Sequence, residues 1–154
     1  MNKVVFGPQR PKIEYARQLA ALPWRVSEAG VIEVLMVTSR ISQHWLLPKG
    51  WPMSGKTLQQ AAAQEAYEEA GVTGKVRRKP AGRYTYDKLM KDGSMVPCTV
   101  VCFGMKVGKE LPEWPEASQR LRQWFPLSDA AGTVFEPDLA RFLGSEELQQ
   151  KLRA

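Results

Sequence analysis

The sequence predicts an α+β domain, and three observations carry that prediction. Strand-length apolar runs rich in β-branched residues recur between residues 17 and 127. A single strongly capped helical pattern, Thr57 to Ala70, interrupts them. Further helical patterns gather only at the C-terminal end. The 154 residues suffice for one sizeable core, and no repeat, low-complexity tract or linker divides them, so a single domain over 1–154 is expected.

Residues 1–14 mix Gly7, Pro8 and Pro11 with Lys3, Arg10 and Lys12, and read as an irregular leader. Two strand-like runs follow, "RQLAALPWRV" and "VIEVLMVTSR", separated by the turn cluster "SEAG". The apolar stretch Val31–Thr38 predicts a central strand covered on both faces. A short "HWLLP" ends at Pro48. In the helix that follows, Thr57 and Gln60 form a capping box and Gly71 supplies the stop. Ala62, Ala63, Ala66 and Ala70 fall on one side, small enough for close approach to a sheet, with Tyr67 at their edge. "GKVRRKPAGRYTYDKL" and "SMVPCTVVCFGMKV" read as two strands joined at "KDGS", and "LPEWPEASQR" as a proline-rich loop. "RQWFPL" predicts a last short strand. Helical segments follow at Ser128–Thr133 and Glu136–Leu143, and a terminal helix is capped by Ser145.

Composition narrows the function classes. With 44% hydrophobic and 25% charged residues the chain has a globular balance. No apolar run approaches the ~20 residues of a membrane span. The first residues lack the apolar core of a signal peptide, so export is not expected. Cys98 and Cys102, four apart in one apolar run, predict two buried free thiols on the same side of a strand, which fits a cytoplasmic protein. His44, the only histidine, has no ligand companions, which argues against a cysteine–histidine metal site. The formal charge of +6 favours an anionic partner, a phosphate-bearing small molecule first and a nucleic acid second.

Against that basic background, Glu65, Glu68 and Glu69 crowd into five positions. At 3.6 residues per turn they fall within an arc of about 100°, displaced from the alanine side. The preceding loop, "PKGWPMSGK", holds two glycines and two prolines and so has a defined non-helical backbone. Clustered hard oxygen donors of this kind suit Mg²⁺ or Mn²⁺, which then takes phosphate oxygens and water in its other positions.

The segment Gly50–Val72 resembles the Nudix box, G-x5-E-x7-R-E-U-x-E-E-x-G-U, with U a bulky aliphatic residue. Gly50, Glu65, Glu68, Glu69, Gly71 and Val72 match without a gap, and Ala66 stands at the first aliphatic position. Two positions depart: Lys56 replaces the box glutamate and Gln64 the box arginine, a pair that in the family braces the loop against the helix. The resemblance implies the Nudix fold, a mixed β-sheet sandwiched between α-helices. It implies Glu65 and Glu69 as principal metal ligands, with the Gly50 carbonyl. Glu68 would complete the metal site or orient the attacking water. A further carboxylate from a later loop would be Glu113 or Glu116.

Outside the box, "VLMVTSRISQHWLLPKG" and "RLRQWF" resemble diphosphoinositol polyphosphate and diadenosine polyphosphate hydrolases of the same family. That likeness implies Ser39, Arg40, Arg120 and Arg122 as substrate-binding residues, with Arg17 at the basic start of the first strand; Lys49, directly before Gly50, and Arg83 are further cations expected to touch phosphate. Tyr84 and Tyr86 would either stack a base or pack in the core, and "KVRRKP" would either bind phosphate or guard a sheet edge. The implied activity is metal-assisted attack of water on a phosphoanhydride bond. The alternatives are an enzyme trimming the 5′ end of RNA and a non-catalytic nucleotide sensor whose box has lost turnover.

Overall fold

A computed structural model of the protein describes residues 16–154, so the leader expected over 1–14 lies outside the described residues. The strands are β1 (Ala16–Val26), β2 (Ile32–Thr38), β3 (Trp45–Leu46), β4 (Lys49–Gly50), β5 (Val72–Val76), β6 (Gly82–Leu89), β7 (Met95–Glu110) and β8 (Arg122–Pro126). The helices are α1 (Leu58–Glu65), α2 (Leu127–Thr133), α3 (Pro137–Leu143) and α4 (Glu146–Arg153). Helix α1 runs on into a π-helical turn, Ala66–Ala70.

All described strands belong to one mixed sheet with the backbone order β3-β2-β1-β7-β5. β1 runs parallel to β7, from Ala16 opposite Cys98 to Trp24 opposite Lys106, while every other pairing is antiparallel. The long β7 carries β6 and β5 end to end along its other side. β4 pairs with β1, placing Gly50 opposite Leu19 and Lys49 opposite Ala20.

The alternation along each strand divides the core between two faces. Leu19 and Ala21 of β1, with Leu35 and Val37 of β2, pack against Ala61, Ala62, Ala66 and Ala70 of the α1 segment. Ala20 and Leu22, with Val34 and Met36, pack instead against Leu139, Phe142, Leu148 and Leu152 of α3 and α4. The sheet is therefore sandwiched between helices, the α/β/α arrangement expected, and β2 is buried on both faces.

The caps follow the sequence. Thr57 Oγ1 accepts from the Gln60 N–H at 3.1 Å, Gln60 Oε1 accepts from the Thr57 N–H at 2.9 Å, and Gly71 closes the turn at φ +67°. Ser145 caps α4 by accepting from the Leu148 N–H.

Two expectations change. The buried alanine side of the helix is Ala61, Ala62, Ala66 and Ala70, with Ala63 only half-buried at its edge. The run 74–89 is two strands and not one, because the chain bulges away from β7 over residues 78–80, between the Arg77 and Ala81 N–H groups that still donate to the Gly104 and Cys102 carbonyls. There Pro80 has no N–H to give a ladder, and a Cβ at Gly82 would sit 2.5 Å from the Phe142 ring. Cys98 and Cys102 are both free and buried in the same face, as expected. Among the described residues no helix is long and apolar enough to cross a membrane.

Candidate active site

The loop before α1 is pinned to the centre of the sheet. The Ala21 N–H donates to the Pro48 carbonyl at 2.9 Å, and β4 holds Lys49 and Gly50 beside β1. A side chain at position 50 would displace the Glu65 carboxylate. A Cβ there would fall 2.1 Å from Glu65 Oε2, so the glycine is what lets the Glu65 carboxylate lie against the loop backbone. The neighbouring Lys49 N–H points at Glu69 Oε1, 3.3 Å away.

Glu69 sits in the π-helical turn, whose wider i→i+5 spacing is a feature met at functional sites. The turn is tied down from outside the helix. Trp114 Nε1 donates to the Glu69 carbonyl at 3.0 Å, and the Glu116 N–H donates to the Glu68 carbonyl at 3.0 Å. Arg122 closes the end, donating to the carbonyls of Ala70 at 2.9 Å and Leu111 at 2.7 Å while stacking on Trp114. Gly71 is required there twice, by its positive φ and because a Cβ would meet Arg122 and Trp114 at 2.7 Å.

Two carboxylates are thus buried side by side: Glu65 is 9% exposed and Glu69 6%. Burial disfavours the charged form of each. It raises Glu65, and it pushes Glu69 up to about 8 even though Arg120 pulls the other way. Arg120, itself nearly buried, approaches Glu69 Oε2 at 3.5 Å, meets Glu116 Oε1 at 2.7 Å and donates to the Thr38 carbonyl at 2.9 Å. Of the two candidates in the later loop, Glu116 joins this network and Glu113 remains exposed.

Glu68 is half-buried and its Oε2 accepts from Gln64 Nε2 at 2.6 Å. The residue at the box-arginine position therefore holds an acid of the same helix, and Lys56 is exposed, so the loop-to-helix brace of the family has no counterpart built from these two side chains. Among the described residues no three acid, histidine or cysteine side chains converge closely enough to hold an ion as they stand. The reason is visible in Glu68, turned to Gln64, and Glu116, turned to Arg120. The donor chemistry nonetheless fits Mg²⁺ or Mn²⁺. Two buried, mutually repelling carboxylates against a glycine backbone need a proton or a cation, and hard oxygen donors select a hard divalent ion.

The expected substrate cations fall into separate groups. Arg17 and Arg83 are exposed and, by strand alternation, face the α1 side of the sheet, Arg17 two residues before Leu19. Arg40 is exposed and donates to Gln119 Oε1 at 3.0 Å, beside the loop that supplies Glu116. Ser39 closes its own loop, its Oγ accepting from the His44 N–H at 2.9 Å. The Lys49 side chain leaves the carboxylates for the opposite face, where Nζ meets Tyr86 Oη at 3.0 Å and Gln18 Oε1 at 3.3 Å. Burial, then Lys88 nearby, lowers the Lys49 ammonium from its ordinary range. The Arg122 guanidinium is committed to carbonyls at the helix end.

Tyr84 is fully core, whereas Tyr86 hydrogen-bonds Gln18 Oε1 at 2.6 Å and lines a cavity of about 380 Å³ with Lys49 and His44. Trp114, beside the carboxylates, and Gln18, which holds the Lys49 ammonium on the opposite face, are residues that spacing did not single out. Gln18 had a readable signal, a lone amide in an apolar strand run; Trp114 had none, because its partner lies 45 residues away.

Comparison with known proteins agrees with this geometry. The chain matches the family model described as the NUDIX domain over residues 17–144. It is similar to Nudix hydrolase 12, mitochondrial, of Arabidopsis thaliana, 36% identical over 129 residues that cover 79% of this chain and 64% of that protein. It is also similar to diphosphoinositol polyphosphate phosphohydrolase 3-alpha of Mus musculus, 34% identical over 101 residues covering 64% of this chain and 57% of that one. The chain thus spans about three-fifths of the length of these relatives. Among solved structures, a C. elegans Ap4A hydrolase binary complex superposes with a TM-score of 0.66 over 90% of this chain and 98% of that one, at 22% identity, a likeness of fold. With the domain match running through most of its length and the box carboxylates seated on the loop glycine, the chain belongs to the Nudix family.

Proposed function

We propose that the protein is a metal-dependent pyrophosphohydrolase. It cleaves a phosphoanhydride bond in a nucleoside-diphosphate-linked or polyphosphate small molecule, of the diadenosine polyphosphate or diphosphoinositol polyphosphate type, and works in the cytoplasm. The observation that carries the reading is the buried pair Glu65 and Glu69, with the Glu65 carboxylate lying against the backbone of Gly50 in the space a Cβ would take. The likeness to a diphosphoinositol polyphosphate phosphohydrolase and to the fold of an Ap4A hydrolase supports the substrate class.

Glu65, Glu69 and the Gly50 carbonyl would hold Mg²⁺ or Mn²⁺, with Glu68 and Glu116 the carboxylates able to join them by side-chain rotation. When bound, such an ion neutralises phosphate oxygens and lowers the pKa of a coordinated water. Glu68, released from Gln64, orients the attacking water. Arg120 is a positioning residue that sets Glu69 and Glu116 relative to each other. The exposed Arg17 and Arg83, and Arg40 once its guanidinium leaves Gln119, would meet phosphate oxygens of the substrate, and stabilising their developing charge is worth most where water is excluded. Arg122, occupied at the helix end, and the Lys49 side chain, on the far face, stand outside this step.

A second reading is a nucleotide-binding sensor without turnover. It is favoured by one observation, that Gln64 engages Glu68 and the family's loop brace is absent. One assay separates the two. The purified chain, with Mg²⁺ or Mn²⁺, is offered diadenosine tetraphosphate, a diphosphoinositol polyphosphate, ADP-ribose and 5′-triphosphorylated RNA. The hydrolase reading requires metal-dependent turnover of one of the first two. Binding without turnover of any substrate establishes the sensor, and preferred turnover of the RNA moves the substrate class to nucleic acid ends.

A further inference from the structure

On the far edge of the sheet lies a second concave surface, of about 610 Å³, lined by Trp24, Lys75, Arg78, Lys106, Leu152 and Arg153 among others. It shares no residue with the carboxylate site. Trp24 stands five residues beyond Leu19 on β1, roughly 16 Å along the strand at ~3.3 Å per residue.

Strand register makes this surface. A bulge between Thr73 and Gly74 sets Lys75 directly opposite Lys106. The bulge is fixed by the glycine, since a Cβ at position 74 would lie 2.2 Å from the Lys106 carbonyl oxygen. Like charges directly opposite across a strand pair are unfavourable, and no carboxylate side chain lines the cavity. Among the described residues neither Lys75, Arg78 nor Lys106 has an ion-pair partner. The floor is Trp24, 4% exposed, with Lys106 Nζ 5.5 Å from its ring centre. Its indole N–H is the buried side-chain donor without a partner among the described residues. Arg77 is structural here, donating to the carbonyls of Lys151, Leu152 and Ala154 and so holding the end of α4 against the cavity.

A basic edge that discourages strand pairing would account for Lys75 on β5 and Arg78 on the turn that follows it. It leaves unexplained Lys106 on β7, which is paired on both sides, and the orphaned indole N–H of the floor. We propose that this cavity is a second ligand site, one that takes a compact multivalent phosphate anion. Three cations without a side-chain counter-ion, Lys75, Arg78 and Lys106, call for several negative charges in one small ligand. Guanidinium forks match paired phosphate oxygens. The concave shape selects a compact molecule over a flat bilayer.

The test uses the full chain without divalent metal, in EDTA, with inorganic tripolyphosphate as the probe. Indole N–H resonances are followed by ¹H–¹⁵N NMR, with the Trp24 signal assigned through Trp24→Phe. The expected result is a saturable shift of the Trp24 signal, at least tenfold weaker in binding for Lys75→Gln combined with Lys106→Gln. Arg78→Ala, on an exposed turn, should weaken binding severalfold. Both variants should keep the wild-type melting temperature or exceed it. Any of four outcomes overturns the proposal: no binding, equal binding by the double variant, an equal titration with sulfate at matched ionic strength, or tighter binding of a ten-nucleotide single-stranded RNA at the same phosphate concentration.

Discussion

Glu65 and Glu69 lie almost out of water against the loop backbone, whereas Lys75 and Lys106 face each other on an exposed sheet edge. Both pairs bring like charges together, but water treats them differently. At the edge, solvent and salt screen the repulsion, and each ammonium keeps its hydration. In the site, burial removes hydration, so the pair must take up a proton, a cation or the partial help of Arg120. Burial thus makes the acidic pair a strained element that a proton or a cation would relieve, while the basic pair is nearly neutral to the fold.

The sharpest way to break this contrast is Glu69→Gln. It should lower kcat roughly 10³-fold, the scale of losing charge stabilisation at a reacting centre, while the melting temperature at pH 8 stays level or rises. Turnover assays and calorimetry on one preparation check both halves. Retained activity would show that the buried pair is not the reaction centre.

The next largest effect is on stability against pH. The folded Glu69 carboxyl is raised from its ordinary 4.5 to about 8. Because the folded value exceeds the unfolded one, its contribution is fully present below about pH 4.5 and declines as pH climbs to about 8. The loss is on the order of 5 kcal/mol. Metal-free protein should therefore melt lower at pH 8.5 than at pH 5. Excess Mg²⁺ should reverse that trend and release protons into a weakly buffered solution near neutrality. A flat melting profile without metal would mean that Arg120 already compensates the pair.

Gly50→Ala should push the Glu65 carboxylate off the loop backbone, at a stability cost that is small beside the ~1–3 kcal/mol of overpacking a rigid core. Chemical denaturation measures the loss, and Mg²⁺ protection of the variant should weaken with it. Gln64→Ala frees Glu68 from its 2.6 Å bond and should change kcat by less than tenfold, with little change in stability. Smallest of all, Lys75→Gln should stabilise the fold by roughly a few tenths of a kcal/mol, an effect that fades in high salt. A large change there would place the basic edge among the structural elements of the fold.

The two regions also differ in how they could be read from the chain. The acids lie within five residues of each other, so helical spacing alone brought them together, and the capping box and Gly71 marked the helix that carries them. The basic cavity draws on positions 24, 75, 78, 106 and 153, which only strand register and helix docking assemble. Likewise Lys49 was adjacent to the box in sequence yet sends its ammonium to the other face, since strand neighbours alternate sides. Arg122 looked like a phosphate ligand, but lies where the helix leaves its last carbonyls unpaired.

Local chemistry therefore determined the α+β class, the capped helix, the acid triplet on it and the buried free cysteines. Each of these rests on interactions between residues close in the chain or on the simple period of a strand. The tertiary structure alone decided the π-helical turn, the partnership of Arg120 with Glu69 and Glu116, the diversion of Lys49, and the meeting of Lys75 with Lys106. These depend on which distant segments the sheet sets side by side, and on how far burial strips water from the charges it gathers.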